Sequence, residues 1–376
     1  MNRTRGMLAI GLLLLLGACD NGPRYTEIIE VSPIVDPAVV ANPPRTSRDR
    51  NEAMLATFQA VGDLQAMTYF GDFDQVIDFQ HHQIMQQFKG SQSGSGGRRA
   101  CSMFAHRTGR DTGLVGRNFD NRDTQVMVGW FYPAKGYASV ALLPLADLGY
   151  SPAEPFDPAV EQHRKTLLYA PVMAIEGINE KGVTVTLASL DRRQVTPSPD
   201  RQPRFLIHLV REILDYAGSV NEAVSIAEKY NVFDNFDDGE AVISHHIFLA
   251  DPHSGSAVLE WRDGSMHLVK DPGDWQVVTN SDMFEVPLAD RRRRCDRYGS
   301  LAKSMGGQEG TMTWQQAMDA LVDARQKNKT SIIDGQKLKI STQWSAVFDT
   351  GERSLYLALG DDYRTVYRFE IRPQAH

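Results

Sequence analysis

Residues 101–120, CSMFAHRTGRDTGLVGRNFD, constrain this chain more than any other stretch. The stretch begins with a cysteine and ends with Gly116-Arg117-Asn118-Phe119-Asp120. Two short strands and a turn fold such a segment back on itself. That brings a thiol (Cys101), a guanidinium (Arg117) and a carboxylate (Asp120) together, a workable set for cleaving an amide. Just before it lies a polar, glycine-rich segment, residues 90–100, of the exposed kind in which chain cleavage is sterically feasible. A cut at the Ala100-Cys101 bond makes Cys101 an amino terminus.

The amino end reads as a targeting segment. Arg3 and Arg5 precede an apolar run, residues 7–16, which is too short to span a bilayer as a mature helix. The run ends Leu16-Gly17-Ala18-Cys19, a pattern that looks like a bacterial lipobox with Cys19 as the lipidated residue. Several acyl chains on one cysteine suffice for stable anchoring to a lipid bilayer. Asp20 resembles an inner-membrane retention signal, so the expected location is the cell envelope, on the periplasmic face of the inner membrane rather than the outer one. Residues 20–47 hold five prolines and little hydrophobic period, and read as a tether. Residues 48–100 read as a helical leader, with Met54, Leu55, Phe58, Val76, Ile77 and Ile84 recurring at spacings of three and four.

Beyond Cys101 the period switches to two. Strands are expected over 126–131, 139–143, 167–175, 183–190, 241–250, 257–261, 266–269, 276–279, 344–348, 354–359 and 366–371. Helices are expected over 205–216, from the capping box at Ser219 to about Tyr230, over 290–305, and over 313–325. Strands and helices in such blocks, without strict alternation, point to a layered α+β domain over 101–376.

A net charge of −7 gives no reason to expect a nucleic-acid partner. The basic run Arg291, Arg292, Arg293 and Arg294 reads as a solvated helix start. The three cysteines are Cys19, Cys101 and Cys295. In an exported chain, cysteines left unpaired are buried or used for chemistry. The histidine pairs at 81–82 and 245–246 do not have metal-site spacing, and neighbours on a strand face opposite ways. Neither a metal nor any other cofactor is expected.

A thiol must ionise to attack a carbonyl. A papain-type site uses a histidine, and none falls at a telling position here. The other solution uses the α-amino group of the nucleophile itself, which requires a cut before it. Six pieces, in order, decide between them. The first is Cys101 with Gly116-Arg117-Asn118-Phe119-Asp120, and the second Gly177-Ile178-Asn179-Glu180-Lys181-Gly182. The 246–261 segment ending Val258-Leu259-Glu260-Trp261 follows, then Val278-Thr279-Asn280, Arg297-Tyr298, and Thr342-Gln343-Trp344-Ser345. Together they resemble the choloylglycine hydrolase and penicillin V acylase group and the related acyltransferase and acid ceramidase lines, all N-terminal-nucleophile hydrolases.

The resemblance implies a four-layer αββα sandwich of two antiparallel sheets flanked by helices. It implies hydrolysis of linear amides, C–N bonds other than peptide bonds, in a small-molecule N-acyl substrate. Cys101 would be the nucleophile, Asp120 would orient its amine, Arg117 would favour the thiolate, and Asn280 would donate to the oxyanion. Arg297, with Arg294 as the alternative, would order the site. The backbone N–H of Ser189, which stands where the family often has asparagine, would complete the oxyanion hole. The long leader resembles the propeptides that are cut off autocatalytically in the acyltransferase and acid ceramidase lines. Two other outcomes are an acyltransferase using the same thioester and a non-catalytic envelope lipoprotein on the same fold. Substrate identity and oligomeric state are not readable.

Overall fold

The computed structural model describes residues 24–71, 73–88, 100–109, 111–253, 255–308, 310–333 and 336–373. The signal segment, Cys19 and most of the glycine-rich segment lie outside those residues.

Two large sheets form face to face. The first has eight strands. Its path runs Glu27–Val31, Asp362–Glu370, Ser354–Leu359, Gln336–Asp349, Gly113–Asn121, Ala100–Arg107, Trp275–Thr279, with Lys329–Ile333 also paired to Gln336–Asp349. The second has ten strands. It runs Ser265–Val269, Gly255–Arg262, Glu240–Asp251, Thr184–Gln194, Glu176–Asn179, Ser139–Pro144, Val126–Pro133, Leu64–Gly71, Gln59–Val61, with Asn235–Asp237 beside Glu240–Asp251. Helices Asp296–Gly306 and Trp314–Ala324 pack on the first sheet, and helices Leu206–Tyr216 and Val220–Ala227 on the second. This is the αββα sandwich expected. Most pairings within these two sheets are antiparallel, but Glu27–Val31 with Asp362–Glu370 and Leu64–Gly71 with Val126–Pro133 are parallel, as is the separate two-stranded pair Gln202–Phe205 with Tyr230–Phe233.

Local chemistry explains the elements. Helix Trp314–Ala324 opens with a complete capping box, Thr313 and Gln316 each satisfying the other's backbone N–H. Ser219 caps its helix by accepting from the Glu222 N–H at 3.2 Å, but Glu222 accepts from Gly218 instead of closing the box. Gly116 is required by space, because a Cβ there would lie 2.2 Å from the Phe104 ring. Gly182 turns at φ +81°, a conformation L side chains rarely adopt.

Four expectations need correction. The proline-rich segment 20–47 is not merely a tether, since its residues 27–31 are an edge strand of the first sheet. The leader is only partly helical, because Leu64–Gly71 is a buried strand of the second sheet. Leu167–Val172 is a 3₁₀ turn rather than a strand; Pro171 within it has no N–H to offer a ladder. The helix expected over 290–305 is two, Leu288–Arg294 and Asp296–Gly306, parted by extended backbone at Cys295.

Candidate active site

Strand Ala100–Arg107 pairs with Gly113–Asn121 so that Cys101 stands opposite Phe119, and Met103 opposite Arg117. Residues on one face of a strand alternate, so Cys101, Met103, Arg117 and Phe119 share a face. The 2.9 Å contact of Thr186 Oγ1 with Met103 Sδ shows that this face looks at the second sheet. Cys101 is therefore buried between the sheets, and both it and Cys295 are free thiols.

Each polar group of Cys101 has its own partner. Its N–H donates to Asn280 Oδ1 at 2.6 Å. Its carbonyl accepts from Arg297 Nη1. Its sulfur lies 3.5 Å from Arg117 Nη2, which also donates to the Leu187 carbonyl at 2.9 Å. Arg117 is held in turn by Glu176, with Nη1 2.5 Å from Oε2 and both side chains almost completely buried. Burial works against the charge on Arg117, yet the attraction of Glu176 and then Cys101 holds its proton more tightly than usual. Trp344 fixes Glu176 from the other side, Nε1 donating to Oε1 at 2.7 Å, while its ring stacks on Phe119 with centroids 4.0 Å apart.

Asp120 lies one step further along the same strand. Thr342 donates to its Oδ1 at 2.6 Å, and Arg297 Nη1 approaches its Oδ2 at 3.3 Å. Burial pushes the Asp120 carboxyl up to about 6, against the opposing pull of Arg297, Thr342 and Arg117. Arg297 also donates from Nη2 to Asn280 Oδ1 at 3.0 Å, and Asn280 Nδ2 donates to the Ser189 carbonyl at 2.9 Å. Arg297 thus spans Cys101, Asp120 and Asn280. Arg294 does not enter this set; it ends its helix exposed to solvent.

The structure brings together Cys101, Arg117, Asp120, Asn280, Arg297 and the Ser189 carbonyl. The Asn280 amide faces Cys101 through its oxygen, while its nitrogen is turned to Ser189. Sequence reasoning missed Glu176, the counter-ion of Arg117, and quoted Thr342 only within a run of four residues, giving it no role. Arg117 is the signal that could have led to Glu176, because a buried arginine requires a carboxylate partner. Among the described residues, no histidine is hydrogen-bonded to the Cys101 sulfur.

The family model described as acyl-coenzyme A:6-aminopenicillanic acid acyl-transferase matches residues 159–364, more than half of the 376 residues. The chain belongs to that family. The stretch of this acyl-transferase family member that matches holds Glu176, Ser189, Asn280 and Arg297, and lies C-terminal to Cys101, Arg117 and Asp120. No curated protein matches the chain. Among solved structures it is similar to penicillin V acylase from Agrobacterium tumefaciens, with 16% identity, a TM-score of 0.49, and coverage of 69% of this chain and 83% of that one. It is also similar to a mutant of conjugated bile acid hydrolase from Clostridium perfringens, with 12% identity, a TM-score of 0.49, and coverage of 69% and 89%.

Proposed function

We propose that the protein is a hydrolase of linear, non-peptide amides that works through a thioester on Cys101, after a self-catalysed cut of the Ala100-Cys101 bond frees its α-amine. The observation that carries this reading is that the nitrogen, carbonyl and sulfur of one buried cysteine each have a separate polar partner, namely Asn280, Arg297 and Arg117. A purely structural cysteine behaves as a small hydrophobe whose sulfur needs no guanidinium, and whose buried backbone groups are ordinarily paired by strand neighbours rather than by amide and guanidinium side chains.

The reaction follows from those contacts. After the cut, the Cys101 nitrogen is a primary amine beside Asn280 Oδ1. The nearby Arg297 cation disfavours a second positive charge, which keeps that amine in its proton-accepting form. The amine takes the thiol proton while Arg117 stabilises the charge forming on sulfur. Sulfur attacks the acyl carbon, and the tetrahedral oxyanion is met by the Ser189 N–H and by Asn280 Nδ2, once that group leaves the Ser189 carbonyl. Donors of this kind are typically worth about 3 kcal/mol each. The C–N bond then breaks, the protonated α-amine hands its proton to the departing amine, and water discharges the thioester. Asp120 and Arg297 hold the new amino terminus in place.

Transfer to an amine acceptor is the second reading, favoured by the acyl-transferase name of the family model. Both readings share the thioester. We further propose that residues 1–18 are removed, that Cys19 becomes the amino terminus and carries lipid, and that the leader up to Ala100 is a propeptide of an envelope enzyme facing the periplasm.

The test is intact mass and amino-terminal sequencing of protein expressed from residue 20. Two fragments, one starting at Cys101, are expected, together with release of amine from a panel of N-acyl amides. An active protein with an unbroken Ala100-Cys101 bond would refute the proposal. Added amine acceptors that appear in acylated product would favour the transferase.

A further inference from the structure

The strand that carries Ser189 loses the support of its sheet at that residue. Strand Glu176–Asn179 pairs with Thr184–Gln194 only as far as Glu176 opposite Thr186. On the other side, strand Glu240–Asp251 pairs His245 with Ser189, and the register then shifts, so that residues 190–192 stand against Ser244 alone. Such irregularities bend a strand and re-aim its side chains, and they recur beside active sites. Yet the Ser189 backbone is tied to the thiol's surroundings. Its carbonyl accepts from Asn280 Nδ2 at 2.9 Å, and Asn280 Oδ1 accepts from the Cys101 N–H at 2.6 Å. The N–H and carbonyl of one strand residue point to the same edge, so the Ser189 N–H is turned to that side too.

Side chains supply the support that the ladder does not. Ser189 Oγ lies 3.0 Å from His245 Nε2, and His245 Nδ1 lies 2.6 Å from Asp234 Oδ2. Asp234 also accepts from the Ser244 N–H at 2.7 Å and from the Ser244 hydroxyl at 3.1 Å, so one carboxylate holds both the imidazole and the irregular residue beside it. A carboxylate at Nδ1 sets the tautomer, so Nε2 accepts from the Ser189 O–H. Ser189 is 4% exposed, and the side chains of Asp234 and His245 are 7% and 21% exposed, so water competes little for these bonds. The connectivity is that of a hydrolytic triad, but a serine this buried is a clamp point and not a nucleophile offered to substrate.

We propose that Asp234 and His245 are positioning residues, which hold the Ser189 backbone against Asn280 through the Ser189 hydroxyl and so fix the oxyanion site beside Cys101. This rests on the thioester reading. The clamp makes and breaks no bond in the reaction. It sets where the Ser189 N–H and Asn280 Nδ2 stand when charge develops on the acyl oxygen, a geometry in which a misplacement of about 1 Å costs about 100-fold.

The experiment measures aniline release from a chromogenic N-acyl anilide, and inhibition by the aldehyde of the same acyl chain. The hemithioacetal of that aldehyde on Cys101 puts an oxygen where the oxyanion forms. Rates are taken per equivalent of Cys101 fragment, so incomplete processing is not read as lost turnover. The wild-type protein must release aniline and show an acyl adduct on that fragment; without them the thioester reading fails, and this proposal with it. Ser189→Ala is expected to lower kcat by about 10- to 100-fold at an unchanged KM, and to weaken the aldehyde by a similar factor. Asp234→Asn, which keeps the hydroxyl but no longer fixes the ring, should move both quantities the same way, and Ser189→Thr should recover part of the loss. A merely structural role would lower the denaturant midpoint and leave the aldehyde affinity where it was. Wild-type kcat and aldehyde affinity in both Ser189→Ala and Asp234→Asn would overturn the proposal. So would labelling of Ser189 by a fluorophosphonate, which would make it a nucleophile.

Discussion

Arg117 Nη1 and Glu176 Oε2 meet at 2.5 Å with both side chains all but excluded from solvent, joining the strand that faces Cys101 to the opposing sheet. The pair bridges the two layers at the point where the thiol lies. Removing one partner of a buried pair leaves an uncompensated charge, typically at a cost of about 3–5 kcal/mol. Glu176→Gln is therefore expected to lower the unfolding free energy by about 3 kcal/mol, read from denaturant melts. Adding Arg117→Met to it should recover much of that stability while abolishing activity. A Glu176→Gln variant as stable as wild type would mean that the pair does not carry the inter-sheet contact.

Asn280 separates two roles that the same residue is proposed to play. Its oxygen accepts from the Cys101 N–H, and its nitrogen is the proposed oxyanion donor. Asn280→Asp keeps the acceptor and removes the donor. Processing at the Ala100-Cys101 bond is expected to persist, while amide turnover falls by about 10²–10³. Asn280→Ala should lose both. Turnover of the aspartate variant within about tenfold of wild type, well short of the usual effect of a lost donor, would remove Asn280 from the oxyanion.

Asp120 gives a pH signature. Burial raises its carboxyl to about 6, well above the usual value for an unfolded aspartate. The folded state therefore binds more protons than the unfolded state between about pH 4 and 6, and this contribution to stability is present at acid pH and lost as pH rises. Asp215, pushed up to about 7 chiefly by burial, acts in the same sense. The difference between wild type and Asp120→Asn isolates the first. The variant is expected to gain stability relative to wild type as the pH goes from about 4 to about 7. Activity has the opposite dependence, since orienting an amine needs the carboxylate, and it should rise through about pH 6. A stability difference that is flat with pH would show that Asp120 does not titrate there.

How much of this was legible depends on whether a residue's neighbours announce it. Cys101, Arg117 and Asp120 sit in one short segment, and Asn280 and Arg297 in runs of recognisable order, so the sequence suffices to nominate them. Choosing Arg297 over Arg294 required the structure, because the break at Cys295 rotates the second helix relative to the first. Glu176 had no local signal. It follows a 3₁₀ turn and opens a four-residue strand, and only the cross-sheet contact makes it the partner of Arg117. Ser189, His245 and Asp234 were visible as residues, but that they meet emerges only from the strand pairing. Leu64–Gly71 misled because it is buried on both faces and so lacks the alternation that marks a half-exposed strand.

The place of residues 27–31 and 64–71 in the sheets decides what would become of the leader after the proposed cut. Glu27–Val31 is hydrogen-bonded along its length to Asp362–Glu370, and Leu64–Gly71 to Val126–Pro133. Leu64, Met67, Tyr69 and Phe70 are fully buried in the common core, and the Tyr69 hydroxyl donates to the Leu167 carbonyl at 2.7 Å. Burying a single large apolar side chain is worth about 1.5–3 kcal/mol, so these four alone oppose dissociation strongly. Cutting one peptide bond removes none of these contacts. The two fragments are therefore expected to migrate as one species in native size exclusion and to part only in denaturant. A chain expressed from Cys101 alone, lacking both strands, should expose the edges of Val126–Pro133 and Asp362–Glu370 and aggregate. A soluble, active protein beginning at Cys101 would show that the leader is dispensable to the fold.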